Sequence, residues 1–158
     1  MIQRLTHFYN GIVSLLNHFQ SLFLLSVRLY WGWQFFITGR GKLQDIPRIV
    51  GFFTDLNIPY PLFNAYFVGS LECFGGLLLL VGLGSRLIAL PLAINMIVAY
   101  LTAHRDSVLT IFQDSDKFVT QGPFLFLMAS FIVLFFGPGL FSLDKLICSL
   151  CSKKQPTT

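Results

Sequence analysis

Four apolar stretches, each long enough to cross a bilayer, constrain the fold of this chain more than any other feature. They lie at residues 21–39, 63–83, 87–103 and 123–143. A helix needs about 20 apolar residues to cross the hydrocarbon core. Hydrophobic residues make up 54% of the 158 residues and charged residues only 11%, against about 25% in a soluble domain. The sequence therefore predicts an integral membrane protein and excludes a disordered chain.

The segments around these stretches complete an all-α prediction. Apolar residues at helical spacing over residues 1–20 are typical of an amphipathic helix at the membrane surface. The same spacing from Ile46 to Leu56 predicts a short interfacial helix in the first long loop, and residues 145–158 form a polar tail. We expect a single membrane domain, a four-helix transmembrane bundle, with a tight antiparallel turn at residues 83–86.

Scattered basic residues give the bundle its charge pattern. They form no stripe that would follow a phosphate backbone, so we expect no nucleic-acid partner. Five of them flank the predicted spans on each side, so the positive-inside rule gives no orientation. Most acidic residues lie on the side away from the two ends of the chain. On that basis we expect a multi-pass membrane protein with cytoplasmic termini.

Arg28 and Glu72 lie inside the first and second apolar stretches, close to their centres at residues 30 and 73. A charge at mid-bilayer costs about 2.5–3.5 kcal/mol on insertion scales. Because the two spans are consecutive and antiparallel, we expect the guanidinium and the carboxylate to pair. The pair either fixes how the spans dock or lines a polar site. Small residues around both predict close helix packing, and these are Gly32, Gly39, Gly69, Gly75 and Gly76.

Other polar residues extend this predicted intramembrane site. Asn95 is expected to hydrogen-bond across helices. His104 at the end of the third stretch is either a proton shuttle or an interfacial anchor. Lys42 and Arg86 are expected at the membrane interface, Lys42 beside lipid headgroups or an acidic ligand at the mouth of the bundle.

The cysteines and histidines suggest little further chemistry. Cys148 and Cys151 form a CxxC, the spacing of a redox thiol pair but also of two idle reduced thiols. A quinone-coupled thiol oxidase would need a second pair of cysteines in a loop, and the long loops contain none. No His, Cys and carboxylate residues have metal-ligand spacing, so we expect no metal site.

The order of these landmarks resembles the DoxX family of small four-span bacterial membrane proteins over roughly residues 20–147. The matching residues include Arg28-Leu29, Gly39, Lys42-Leu43, Leu56-Asn57-Ile58-Pro59, Glu72 with Gly75-Gly76, Gly82 to Arg86, His104, and Gly137 to Asp144. The resemblance implies that Arg28, Lys42, Glu72, Arg86 and His104 are the family's recurring polar positions. It also implies a location in the bacterial inner (cytoplasmic) membrane. A further implication is a link to membrane oxidoreductase systems, although many members have no assigned activity.

Three classes of function follow from the residues and the resemblance together. The first is a subunit or accessory of a membrane redox or sulfur-metabolism complex, with quinone as the candidate cofactor and the Arg28–Glu72 site as its contact. The second is a small solute carrier or channel, which at this size would need a homo-oligomer. The third is a structural scaffold that binds protein partners. Whether the chain is itself an enzyme stays open, because no residue set supplies a self-contained catalytic mechanism.

Overall fold

The computed structural model describes the backbone of residues 2–152 and the side chains of Val13, Leu16, residues 19–147, Ser149 and Leu150. The described part is helical and contains no strand. Its helices are α1 (Ile2–Gln44), α2 (Ile46–Asp55), α3 (Pro61–Val81), α4 (Ser85–Ala103), α5 (Arg105–Leu109), α6 (Ser115–Val119), α7 (Gly122–Phe136) and α8 (Leu143–Ser152).

Two of the described helices, α3 and α4, are long and apolar enough to cross a membrane. Helix α7 is apolar but has only 15 residues, or about 22 Å at 1.5 Å per residue, against about 30 Å of hydrocarbon. Helix α1 has 43 residues, but Arg28, Gln34 and Arg40 interrupt its apolar stretch. By length and composition, the described helices therefore supply two candidate spans where the sequence predicted four.

Helices α1, α3, α4 and α7 pack in a closed ring, since α1 contacts α3, α3 contacts α4, α4 contacts α7, and α7 contacts α1. The side chains of Phe35, Leu79, Leu92 and Val133 fill the centre of this ring and are fully buried. Large apolar side chains point outward along the ring, among them Phe63, Leu87 and Phe135. An apolar outer surface of this kind is suited to lipid contact.

Small residues set the register of α1 against α3. A Cβ on Gly32 would lie 2.9 Å from the backbone nitrogen of Leu80, and one on Gly39 would collide with the backbone of Cys73. Gly76 meets the backbone of α1 in the same way. The two backbones therefore approach closely at these three glycines, as small residues allow in membranes, with Gly32 opposite Leu80 and Gly39 opposite Cys73.

The connections between α1 and α2 and between α3 and α4 lie where turn residues predict them. Asp45 caps α2 by accepting a hydrogen bond from the backbone nitrogen of Arg48 at 3.3 Å. The turn between α3 and α4 has left-handed backbone at Gly82 (φ 76°) and Gly84 (φ 58°), a conformation that glycine adopts without a steric penalty. Helix α4 continues through Pro91.

The fourth apolar stretch does not remain helical to residue 143. Helix α7 ends at Phe136, and Gly137 follows with φ 80°. Pro138 opposes helical backbone in the residue before it and cannot donate a helical hydrogen bond. The apolar residues that follow, which the sequence analysis included in the span, form a loop leading to α8.

Both ends of the chain differ from the expected division into segments. The surface helix expected over residues 1–20 and the span expected over 21–39 are one continuous helix, α1. Most side chains of its first 18 residues lie outside the described residues, so the expected amphipathic face stays a prediction. The backbone of Cys148 and Cys151 belongs to α8, but their side chains also lie outside the described residues. The thiol-pair hypothesis therefore stays a prediction too.

Candidate functional site

Arg28 does not pair with Glu72, and the expected ion pair between them is wrong. The Arg28 side chain is 1% exposed, and its guanidinium donates hydrogen bonds to four backbone carbonyls. Nε donates to Leu79 at 3.0 Å, Nη2 to Leu80 at 3.3 Å, and Nη1 to Pro138 at 2.5 Å and to Phe141 at 2.9 Å. These contacts, here called the Arg28 cluster, join α1 to the end of α3 and to the loop after α7.

The register of α1 against α3 explains why the expected pair does not form. Aligning the centres of the two apolar stretches put residue 30 opposite residue 73, whereas the structure has Gly39 there. The guanidinium therefore lies level with Leu79 and Leu80, about 11 Å along α3 from Glu72 at 1.5 Å per residue. Arg28 is near one end of the bundle rather than at its centre.

Asp144 and Arg86 complete this end of the bundle. The Asp144 carboxylate accepts hydrogen bonds from the backbone nitrogens of Gly84 at 2.7 Å and Ser85 at 3.1 Å, where α4 begins. A carboxylate at a helix N-terminus stabilises the helix through its free N–H groups. Arg86 donates to the carbonyl of Phe135 at 3.4 Å. The described contacts give this end a structural role, which is to hold the turns together.

Glu72 has different partners, at the middle of α3. Lys42 Nζ lies 2.5 Å from Glu72 Oε1 and 2.6 Å from Oε2, and Asn95 Nδ2 donates to Oε1 at 2.8 Å. Glu72 is 1% exposed, whereas the Lys42 side chain is 30% exposed. The three residues, here called the Glu72 cluster, come from α1, α3 and α4 and leave the buried carboxylate fully compensated.

Glycines bring the end of α1 close enough for Lys42 to reach Glu72. Gly39 packs directly on the α3 backbone, and a Cβ on Gly69 would lie 2.9 Å from the side chain of Leu43, beside Lys42. On the other side of α3, Gly75 faces α4, where a Cβ would lie 3.2 Å from Ile88. Close packing on both faces of α3 therefore places the carboxylate between the lysine of α1 and the amide of α4.

The Glu72 cluster lines a cavity of about 350 Å³ bounded by α1, α2, α3, α4 and α7. Its wall is mostly apolar and includes Phe53 of α2, Leu56 directly after α2, Val68 of α3, Met96 of α4 and Phe126 of α7. Ligand pockets typically have volumes of about 300–1,000 Å³, apolar walls and a few convergent polar groups. The cavity has these properties.

Helix α2 covers the cavity with one face. Ile49, Phe53 and Leu56 line the cavity, while Arg48 and Asp55 are exposed. The helix packs mainly against α3 and the end of α1, and none of its residues is fully buried. The amphipathic pattern that predicted an interfacial helix therefore reflects a helix whose apolar face covers the cavity.

His104 lies at the edge of the cavity, at the end of α4 and away from Glu72. It follows the last residue of α4 and lines the cavity, with its ring edge-on to Tyr100 at 6.0 Å between centroids. It lies nine positions after Asn95, which corresponds to about 13 Å along the axis of α4. The structure therefore places Lys42, Glu72, Asn95 and His104 on one cavity and separates Arg28 and Arg86 from it.

Lys42 was not predicted as the partner of Glu72, because the predicted register of the first two spans rested on aligning their centres. A usable signal was present, since Gly32 and Gly39 lie seven residues apart on one face of α1. Packing that face against the glycines of α3 brings Lys42 level with Glu72. Phe126 was not predicted as part of the cavity wall either. Its ring centroid lies 5.1 Å from that of Trp31.

Comparison with known proteins gives the chain its family. The DoxX family model matches residues 23–105, which include Lys42, Glu72, Asn95 and His104. A protein of Bacillus subtilis (strain 168) named "Putative oxidoreductase CatD" is 32% identical over 78 residues, covering 49% of this chain and 57% of that protein. The chain thus spans little more than half the length of this relative. No solved structure matches the chain significantly. Because the family model covers half of the chain, the chain belongs to the DoxX family of small membrane proteins.

Proposed function

We propose that this DoxX protein is a subunit or accessory of a membrane redox complex and that its cavity binds a quinone. The observation that carries the proposal is the Glu72 cluster at the wall of an apolar cavity of about 350 Å³. A quinone combines an apolar ring with carbonyl oxygens that accept hydrogen bonds. The cavity offers apolar walls to the ring and the Lys42 ammonium to a carbonyl oxygen.

The relative's name supports a redox setting. The Bacillus subtilis protein carries the name "Putative oxidoreductase CatD". Separately, the region that the DoxX family model matches, residues 23–105, holds the whole Glu72 cluster. Lysine, glutamate and histidine side chains exchange protons with bound ligands, and an asparagine amide hydrogen-bonds to them. Electrons would pass between the bound quinone and a partner protein of the complex. Sulfur metabolism is one setting for such a complex.

The packing between the two polar clusters favours a binding site over a carrier or channel. A carrier of anionic solutes would need a free buried cation as counter-ion, but the guanidinium of Arg28 is occupied by backbone carbonyls. Phe35 and Leu79, both fully buried, fill the bundle between the Arg28 cluster and the Glu72 cluster. The cavity therefore has a closed inner end, which suits a bound ligand. A scaffold role remains the second candidate, since exposed loop residues such as Phe112 suit protein contacts.

We further propose that α1 and α7 cross the bilayer together with α3 and α4. The closed ring of the four helices supports this proposal, because α1 and α7 pack on the two apolar helices along their length. The location in the bacterial inner membrane, the cytoplasmic termini and a homo-oligomeric state are part of the same proposal. Labelling of introduced cysteines with a membrane-impermeant reagent, before and after the cells are permeabilised, would test the orientation.

Quinone binding can be measured with a tryptophan that the chain already has. Trp31 contacts Phe126, which lines the cavity, and Trp33 is the other of the two tryptophans. In a Trp33→Phe background reconstituted in nanodiscs, 2-methyl-1,4-naphthoquinone should quench Trp31 saturably. A Trp31→Phe protein, in which only the half-exposed Trp33 remains, measures the quenching by quinone dissolved in the lipid. Val68→Phe fills the cavity and should weaken binding at least about tenfold.

A matched variant distinguishes loss of quinone binding through a filled cavity from loss of binding through general damage to the fold. Val81→Phe makes the same change in the same helix, outside the cavity wall and on an exposed side chain. It should leave binding unchanged. Equal binding in the Val68 and Val81 variants, or quenching that does not saturate, would refute the quinone site.

A further inference from the structure

The cavity is not closed on all sides. Two of the side chains that line it are also about half exposed, Phe52 of α2 at 49% and Val98 of α4 at 47%. Among the described helices, α2 packs against α3 and the end of α1 and makes no comparable contact with α4. The wall is therefore interrupted between α2 and α4. The gap bordered by Phe52 and Val98 is here called the lateral opening.

The lateral opening lies on a surface suited to lipid. Helix α4 is long and apolar enough to cross a membrane, and Val98 lies five positions before its last residue, Ala103, or about 7.5 Å inside that end. Ile94, Ile97 and Leu101 are exposed at helical spacing around Val98. An apolar surface of this kind is covered by hydrocarbon when α4 spans the bilayer. Lipid chains then have access to the cavity beside Val98.

The polar groups of the cavity lie close to this opening. Asn95, which donates to Glu72 at 2.8 Å, is three positions before Val98, or about 4.5 Å along α4. Lys42 is bonded to the same carboxylate, and its side chain is 30% exposed. A head group that binds to Lys42 is therefore separated from the lateral opening by about one turn of α4.

The size of the cavity limits what can stay inside it. Its volume of about 350 Å³ is near the lower end of the range for ligand pockets, about 300–1,000 Å³. A ring head group fits such a space, whereas a long chain attached to the ring has to leave it. Phe35 and Leu79 close the way toward the Arg28 cluster. Two ways out remain, the apolar one beside Val98 and one at His104, beyond the end of α4.

We infer that the cavity takes an amphiphile from the bilayer, whose ring head group binds at Lys42 and whose long apolar chain leaves through the lateral opening into lipid. The inference rests on the proposed quinone site and names the class of quinone, one that a long hydrocarbon chain keeps dissolved in the membrane. Val98 and Phe52 are thus specificity-determining residues for the chain, while Lys42 binds the head group.

Two quinones with the same head group test the inference. The first is 2-methyl-1,4-naphthoquinone, and the second is 2-methyl-3-phytyl-1,4-naphthoquinone, which carries a long chain. Val98→Phe narrows the lateral opening. In the Trp31 quenching experiment it should weaken binding of the phytyl compound at least about tenfold and binding of the short compound less than about threefold. Each compound is compared between proteins, so its partition into lipid cancels.

A control variant and a photolabel keep the test decisive. Ile97→Phe enlarges the neighbouring exposed side chain outside the cavity wall and should leave both compounds unaffected. A phytyl compound with a diazirine on the chain next to the ring should label Val98 or Phe52 in the Trp33→Phe protein, a readout that needs no change at Val98. Labelling at His104 or Gly122 instead would overturn the inference.

The binding results separate the inference from the proposed function. Equal loss of both compounds in Val98→Phe, equal binding of the phytyl compound to the Val98 and Ile97 variants, or binding of the short compound alone to the Trp33→Phe protein would overturn the inference and leave the quinone site standing. Binding of neither compound would overturn the proposed function with it.

Discussion

Lys42 Nζ bonds both carboxylate oxygens of Glu72, at 2.5 and 2.6 Å, and so joins the end of α1 to the middle of α3. The carboxylate is nearly inaccessible, while the lysine faces a cavity. A pair of this kind contributes modestly to stability as a whole, but removing one partner leaves a buried charge without compensation. The contact therefore makes a direct prediction for single and double variants.

Lys42→Met should destabilise the protein by about 3–5 kcal/mol, because it leaves Glu72 buried and unpaired. Adding Glu72→Gln should restore part of the loss, since the charge is then removed as well. The measurement is thermal unfolding in detergent for the two single variants and the double variant. Arg40→Met removes an exposed cation from the same helix and should change the melting temperature little. Strictly additive effects of the two substitutions would exclude the pairing.

Arg28→Ala should also destabilise the protein, by about 3 kcal/mol or more, because four carbonyls lose a charged donor. Here a second substitution at Glu72 should give no rescue, since the two residues are not in contact. Arg86→Ala removes a single bond of 3.4 Å and provides the mild comparison. The folded yield on size-exclusion chromatography measures all of these variants. Recovery of the folded yield in an Arg28→Ala, Glu72→Ala protein would instead support an ion pair between Arg28 and Glu72.

Gly39→Ala should separate α1 from α3, because its Cβ would collide with the backbone of Cys73. Overpacking of this kind costs about 1–3 kcal/mol, and the shift should also weaken the bond between Lys42 and Glu72. Gly41→Ala is the matched control, since a Cβ there meets nothing within 4 Å. It should stabilise the helix by up to about 1 kcal/mol, as alanine does relative to glycine. Similar melting temperatures for the two variants would contradict the register.

Asp144→Ala should cost about 1–2 kcal/mol, because the first backbone nitrogens of α4 lose their carboxylate cap. Asp116→Ala is a suitable comparison, since Asp116 lies in the first turn of α6 and is exposed. Hydrogen exchange at Gly84 and Ser85 should rise in the Asp144 variant only. Protection of both amides at the wild-type level would show that the cap is dispensable.

The helices of this protein were more predictable than their register. The apolar runs over residues 63–83 and 87–103 predicted α3 and α4 to within two residues at each end, because a spanning helix is encoded locally. The repeat from Ile46 to Leu56 predicted α2 for the same reason. The end of α7 was misplaced, because the residues after Pro138 are as apolar as those before it and hydropathy does not register a loop.

The site was less predictable, because it depends on contacts between distant segments. Glu72, Asn95 and His104 were singled out as polar residues in apolar surroundings, and all three line the cavity. The partner of Glu72 required the register of α1 on α3, which is set by backbone contact at Gly39. The partners of Arg28 are main-chain oxygens, which no side-chain pattern can indicate.

The hydrogen bonds of Arg28 have one consequence for how this protein can vary. A guanidinium that binds only main-chain oxygens makes no demand on the side chains at Leu79, Leu80, Pro138 and Phe141 beyond the path of the chain. Substitutions at those positions that keep the path should be tolerated while Arg28 itself stays irreplaceable. Paired changes across homologues would then point to none of these four residues as a partner of this arginine, although it holds three segments of the fold together.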